Sequence, residues 1–318
     1  MWLPTPPTVF TALEFLTRGI AKYCLSKLGV PAIVVQYSKS SSTNDAFQSH
    51  IIIGRIGKDA LKKRQDEVKK VLNRSLFNHA IFPDQVPGIY PINEGDVTGF
   101  SLRLIRDVDM ILNGIAPKDW KIVYHSQPIA NSSRIDHLLI AVPLGNPVEK
   151  DVFTTDEFMD LPKFDLNDPD THWKSWKDPQ AIHKKHPVVL CGIEDKKPGS
   201  LHFRDWDHEL ITGQLKLKDQ PKPLRECCDE VNVFSCQLLK YQHGYNTDMV
   251  FLTDAETFIC VESINYDEIG QHPDAKINVL LTDVSATDIR LAIAGACYDK
   301  MRVFMDTKNP RGPVTYYV

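Results

Sequence analysis

The stretch HPVVLCGIEDKKPG, residues 186–199, decides the reading of this chain. Val188 to Ile193 form an unbroken apolar run, the pattern of a strand buried on both faces, and then two acids, Glu194 and Asp195, stand directly against two lysines, Lys196 and Lys197. A strand is expected over 187–196. Alternate residues of a strand share a face, which puts Val188, Leu190, Gly192, Glu194 and Lys196 on one side and Val189, Cys191, Ile193 and Asp195 on the other. A carboxylate and an ammonium two residues apart can hold a divalent metal and orient a water beside it, as phosphodiester hydrolysis requires. They can equally form an ion pair at the mouth of a strand. The triplet alone does not decide, because Glu67-Val68-Lys69, Asp119-Trp120-Lys121, Asp274-Ala275-Lys276 and Asp306-Thr307-Lys308 repeat it elsewhere in the chain.

The neighbouring segments add two features. Upstream, residues 120–142 read as a β-hairpin with a polar turn near 131–133. In its second strand, Asp136 shares a face with Leu138, Ile140 and Val142. An acid on the apolar face of a strand that should pair near 187–196 could join Glu194 as a metal ligand, since Mg²⁺ takes one or two carboxylates beside phosphate and water oxygens. Alternatively, Asp136 lies in the hairpin turn and pairs with Arg134. Downstream, a helix over 226–243 has Cys227, Val231, Phe234, Leu238 and Tyr241 as its apolar stripe, with Gln237 and Tyr241 one turn apart on one side. This Q-x-x-x-Y is open to a blander reading, a core tyrosine beside a surface glutamine.

Farther out, helices are expected over about 8–28, 58–77, 99–114 and 286–301, and strands over 30–38, 49–57, 248–263 (two, with a turn near Asp254) and 276–283. Residues 146–185, acidic and proline-containing, read as an irregular insertion. Alternating strands and helices make an α/β or α+β protein. The chain has 318 residues, 42% of them hydrophobic, enough for a large core, and a net charge of −4 that excludes the strongly basic balance of an obligate nucleic-acid binder. Basic contacts would have to be local, and the helix KKRQDEVKKVLNR offers Lys62, Lys63, Lys69, Lys70 and Arg74 largely on one side, a face that could track phosphates or simply be solvated. Seven scattered cysteines without a C-x-x-C pair point to a reducing compartment, cytoplasm or nucleus, and away from a structural zinc site. No transmembrane span or signal peptide is expected, and no phosphate-binding glycine motif for ATP or dinucleotides is present.

Taken in order, Asp136 in RIDHLLI, Glu194-Asp195-Lys196 in VVLCGIEDKKP and Gln237-x-x-x-Tyr241 in CQLLKY resemble the PD-(D/E)XK nuclease superfamily, in particular its RecB-like Q-x-x-x-Y branch. The texture of the chain is also similar to that of the uncharacterised PD-(D/E)XK nuclease-like proteins abundant in fungal genomes. The resemblance implies one nuclease-like domain over 1–318: a restriction-endonuclease-like core at about 100–262, with a central mixed sheet flanked by helices, and N- and C-terminal elaborations. It further implies a Mg²⁺- or Mn²⁺-dependent nuclease acting on DNA or RNA. Asp136 and Glu194 would be metal ligands, Lys196 would orient or activate the attacking water, and Gln237 and Tyr241 would position the substrate backbone and support the metal site. Some members add an acid from the first core helix; Glu14, Glu67, Asp107 and Asp109 qualify, with Glu14 preferred. Lys197, beside the triplet, joins the lysines expected to meet nucleic acid. Ile135 stands where the name-giving proline is expected, and Asp195 replaces the usual apolar residue, which permits a shifted Asp195-Lys196-Lys197 reading. Glu194/Lys196 is preferred because their face continues from Leu190 and Gly192, and the glycine leaves room for a ligand. The alternative function is a catalytically silent module of the same fold that binds nucleic acid or a protein partner.

Overall fold

A computed structural model describes residues 9–17, 51–78, 82–83, 93–127, 129–130, 133–144, 152–153, 177, 187–201, 203, 229–269, 275–285, 288–305, 310 and 315–316. The expected strand at 30–38, most of the first helix and nearly all of the 146–185 insertion lie outside them.

Strands β1 (Ile51–Ile56), β2 (Trp120–Ser126), β3 (His137–Pro143), β4 (Val188–Asp195), β5 (Met249–Thr253), β6 (Phe258–Ser263) and β7 (Lys276–Val284) form one mixed sheet, in the spatial order β1-β7-β6-β5-β4-β3-β2. β4 and β5 are parallel, as are β1 and β7, and the remaining neighbours are antiparallel. The parallel β4–β5 pair needs a crossover, which helix α4 (Asp229–Gly244) supplies. The sheet therefore extends past the expected 100–262 core at both ends of the chain, taking β1 from before it and β7 from after it.

One face of the sheet is covered by α1 (Ala12–Thr17), α2 (Lys58–Leu72), α3 (Glu94–Ile115) and α5 (Ile289–Phe304), which share a single apolar cluster with it. The other face packs against α4, where Phe234, Leu238 and Tyr241 meet Leu138, Ile140, Val189 and Val250. Both faces are dry, and all eight residues of β4 are buried, which accounts for its unbroken apolar run. The start of α3 is fixed by a reciprocal cap. The Asn93 side chain accepts from the Asp96 backbone N–H and the Asp96 carboxylate accepts from that of Asn93. Its end is set by Pro117, which forces Ala116 into an extended conformation.

Two details of β4 correct the alternation read from sequence. Leu139 pairs with Cys191 but Ile140 pairs with Val189, so Leu190 is an extra residue in a β-bulge. Leu190 and Cys191 then both face the α5 side while Val189 faces α4, and Leu190 does not share the face of Gly192 and Glu194. The bulge's carbonyl accepts from the buried Lys300 ammonium of α5, which is also paired with Asp248 just before β5. The space beside Gly192 is likewise not left for a ligand. A Cβ there would meet Ile135 Cδ1 at 2.5 Å, so the glycine makes room for a fully buried isoleucine.

Replacing Gly192 with Ala should therefore cost about 1–3 kcal/mol of stability. Combining it with Ile135→Val, which removes the clashing methyl, should cost less than the sum of the single changes. Denaturant melts of the parent, the two single variants and the double variant measure that coupling.

Candidate active site

The carboxyl end of β4 meets the middle and second half of α4. On a strand, positions 194 and 196 point the same way, and on a helix positions 234, 237, 241 and 245 line one face. The two faces oppose each other. Lys196 Nζ donates to Glu194 Oε1 at 2.7 Å and to Gln237 Oε1 at 2.9 Å, and it lies 5.3 Å from the centre of the Phe234 ring. The Tyr241 hydroxyl donates to the same Glu194 Oε1 at 3.0 Å. Burial and the Glu194 carboxylate push the Tyr241 phenol far above its usual range, so it stays a donor. One turn on, the Tyr245 hydroxyl accepts from the Ile135 backbone N–H at 3.2 Å and ties the same helix face to the segment before β3.

Glu194 is thus loaded on one side only. Oε1 takes two donors, whereas Oε2 is buried without any hydrogen-bond partner. Leaving a buried carboxylate oxygen unpaired is costly. The second carboxylate is Asp136, at the bend that leads into β3. Its Oδ2 accepts from the Asp195 backbone N–H at 2.9 Å, which brings Asp136 to the end of β4. Burial, with the Glu194 and Asp195 carboxylates close by, pushes its pKa up to about 8, against the opposing pull of the Asp195 N–H and of Lys196. No group of three His, Cys, Asp or Glu side chains suited to a metal ion occurs among the described residues. The crowded acids make a pair, and a pair suffices for a hard cation that keeps water and phosphate oxygens as its other ligands.

Immediately after Lys196 the chain is turned away. Lys197 to Ser200 form a hydrogen-bonded β-turn with Pro198 second and Gly199 third at φ 75°, the conformation that calls for glycine there. Lys196 remains on the ladder, its N–H donating to the Thr253 carbonyl at 2.7 Å, while Lys197 is exposed at the rim.

Asp195 faces the opposite way from Glu194, so the shifted Asp195-Lys196-Lys197 triplet would put its acid on the α3 side, away from Gln237 and Tyr241. Its carboxylate is fully buried, with Oδ1 accepting from Ser101 Oγ of α3 at 2.6 Å and Oδ2 lying 2.7 Å from His137 Nε2. With the carboxylate as acceptor, the imidazole proton is on Nε2 and Nδ1 takes the Tyr124 hydroxyl, 2.7 Å away.

No family model matches the chain, and no curated protein or solved structure matches it.

The structure brings Asp136, Glu194, Lys196, Gln237 and Tyr241 to one place and leaves other expected site residues elsewhere. Glu14 is exposed on α1, in the helix layer across the sheet, and its carboxylate accepts from the backbone and hydroxyl of Thr11. Asp107 and Asp109 lie on α3, where Asp107 pairs with Arg290 and Asp109 accepts from Asn113. The α2 lysines also belong to that far layer, where Lys69 and Lys70 pair with Asp66 and Glu67 and Lys62 and Lys63 are exposed. Only Lys197 among the expected nucleic-acid contacts adjoins the paired acids. Sequence reasoning missed Ser101, Tyr124 and His137. The signal for one of them was present: His137 follows Asp136 and therefore faces away from it, toward the side that Asp195 occupies.

A carboxyl whose folded pKa is raised stabilises the fold while protonated, and that contribution disappears as pH climbs through the folded value. Asp136 should therefore weaken the fold progressively between about pH 4 and about pH 8. In urea melts across that range, Asp136→Asn should gain stability relative to the parent as pH rises, and added Mg²⁺ should blunt the parent's loss.

Proposed function

We propose that this chain is a divalent-metal-dependent nuclease of the PD-(D/E)XK kind, hydrolysing phosphodiester bonds of DNA or RNA. The observation that carries the reading is the buried, unpartnered Oε2 of Glu194 next to an Asp136 carboxyl already crowded by like charge. Two carboxylates that repel each other in a dry site, one with a free oxygen, are a donor set for Mg²⁺ or Mn²⁺. The element order agrees with a restriction-endonuclease-like core: helix α3, hairpin β2–β3, strand β4, helix α4 and strand β5. No helix among the described residues is long and apolar enough to cross a membrane.

Asp136 and Glu194 would hold the cation, which supplies positive charge against the transferring phosphoryl group and acidifies water. An ammonium has three N–H bonds, and Lys196 spends two of them on Glu194 and Gln237. The third is left to orient the attacking water or meet a phosphoryl oxygen as its charge grows. Gln237 and Tyr241 keep the lysine and the glutamate aimed. Lys197, at the rim, is placed to meet the nucleic-acid backbone.

The parent should cleave DNA or RNA in Mg²⁺ or Mn²⁺ and stop when the metal is chelated. Glu194→Ala and Lys196→Ala should each lower cleavage at least about a hundredfold while circular dichroism shows the fold retained. Cleavage unchanged in both variants would sink the assignment. Binding of nucleic acid without any cleavage by the parent would move the reading to a catalytically silent module of the same fold.

A further inference from the structure

Asp195 and His137 stand outside the proposed chemistry, yet they connect the same two strand ends that carry it. Asp136-His137 and Glu194-Asp195 are paired dipeptides on neighbouring antiparallel strands, with His137 opposite Ile193. They are joined twice. On the α4 side the Asp136 carboxylate accepts from the Asp195 backbone N–H at 2.9 Å, and on the α3 side the Asp195 carboxylate takes the His137 imidazole at 2.7 Å. Ser101 extends the second join into α3, and Tyr124 extends it into β2.

Ser101, His137 and Asp195 are all fully buried. A carboxylate in that environment is tolerated only with its partners in place, so each bond holds the next side chain in one rotamer. A leucine at 195 would fill a core strand with no such requirement. The polar chain instead fixes the positions of His137 and Asp195 relative to each other, and through the backbone it fixes the two acids on the reverse side.

We infer that Asp195 and His137, backed by Ser101 and Tyr124, are positioning residues that hold the Asp136 and Glu194 carboxylates at the separation a divalent cation needs. The inference rests on the metal-site reading above. Neither residue touches the cation. They act through the Asp136–Asp195 backbone bond and the cross-strand join behind it.

The test measures Mn²⁺ binding by full-length protein, from the loss of the free-ion paramagnetic resonance signal, alongside thermal melting without metal. Asp195→Leu should weaken Mn²⁺ binding about ten- to hundredfold, the range seen when partners that orient metal ligands are removed. Asp195→Asn can still accept from Ser101 and donate to His137 in its other tautomer, so it should keep most of the parent's affinity. Ser101→Ala, a milder change that carries the test if the leucine variant does not fold, should fall between them. A variant that melts earlier but binds Mn²⁺ as tightly as the parent would reduce Asp195 to a structural role and overturn this inference alone. So would an Asn variant as weak as the Leu variant. A parent that takes up no Mn²⁺ overturns the nuclease reading itself, and this inference with it.

Discussion

The end of strand β4 places two acids in succession inside a sheet that is covered on both faces. Glu194 and Asp195 point in opposite directions, and both are buried. Burying a carboxylate is costly enough that each must find donors, and alternation forbids them from sharing a supply. Much of the surrounding polar architecture answers that constraint. On one face, Tyr241 of α4 and Lys196 donate to Glu194, and Gln237 of α4 accepts from the same lysine. On the other, α3 contributes Ser101 and β3 contributes His137. Asp195 is satisfied in this way, and Glu194 is satisfied at one oxygen only.

That asymmetry sets the two neighbouring acids apart. Asp195 has the environment of a group whose bonds are complete within the fold. Glu194 keeps Oε2 unpartnered, and the nearby Asp136 carboxyl is pushed up to about 8 by burial, with the Glu194 and Asp195 carboxylates adding to the rise. Residues of the same type, adjacent in the chain, are thus distinguished by what each face of the sheet provides.

Sequence periodicity made the grouping of Glu194 with Lys196 legible, and the grouping of Gln237 with Tyr241, because both depend only on the repeat of the element that carries them. Which faces meet is a matter of topology, and the order helix, hairpin, strand, helix, strand conveyed that. The rest depended on packing that no repeat records. Gly192 suggested space for a ligand, yet the space belongs to Ile135, a residue 57 positions earlier that reaches it through the β3–β4 pairing. Glu14 had the composition of a ligand but sits across the sheet, and the α2 lysines lie on the same far layer. His137 and Asp195 are set diagonally opposite by the antiparallel pairing of β3 with β4, which the repeat of neither strand records.

The bulge at Leu190 divides β4 into two segments with independent parity. Upstream, the facing of Val189 is set by the cores on either side; downstream, the facing of Glu194 and Asp195 is set by the acids' partners. Lys300, anchored to Asp248, takes up the carbonyl that the extra residue leaves over. A strand built this way can carry a polar end whose orientation is chosen separately from that of its apolar body. Its apolar neighbours could then change size or shape across generations without rotating the acids, so that core and site are free to evolve at different rates along one continuous piece of backbone.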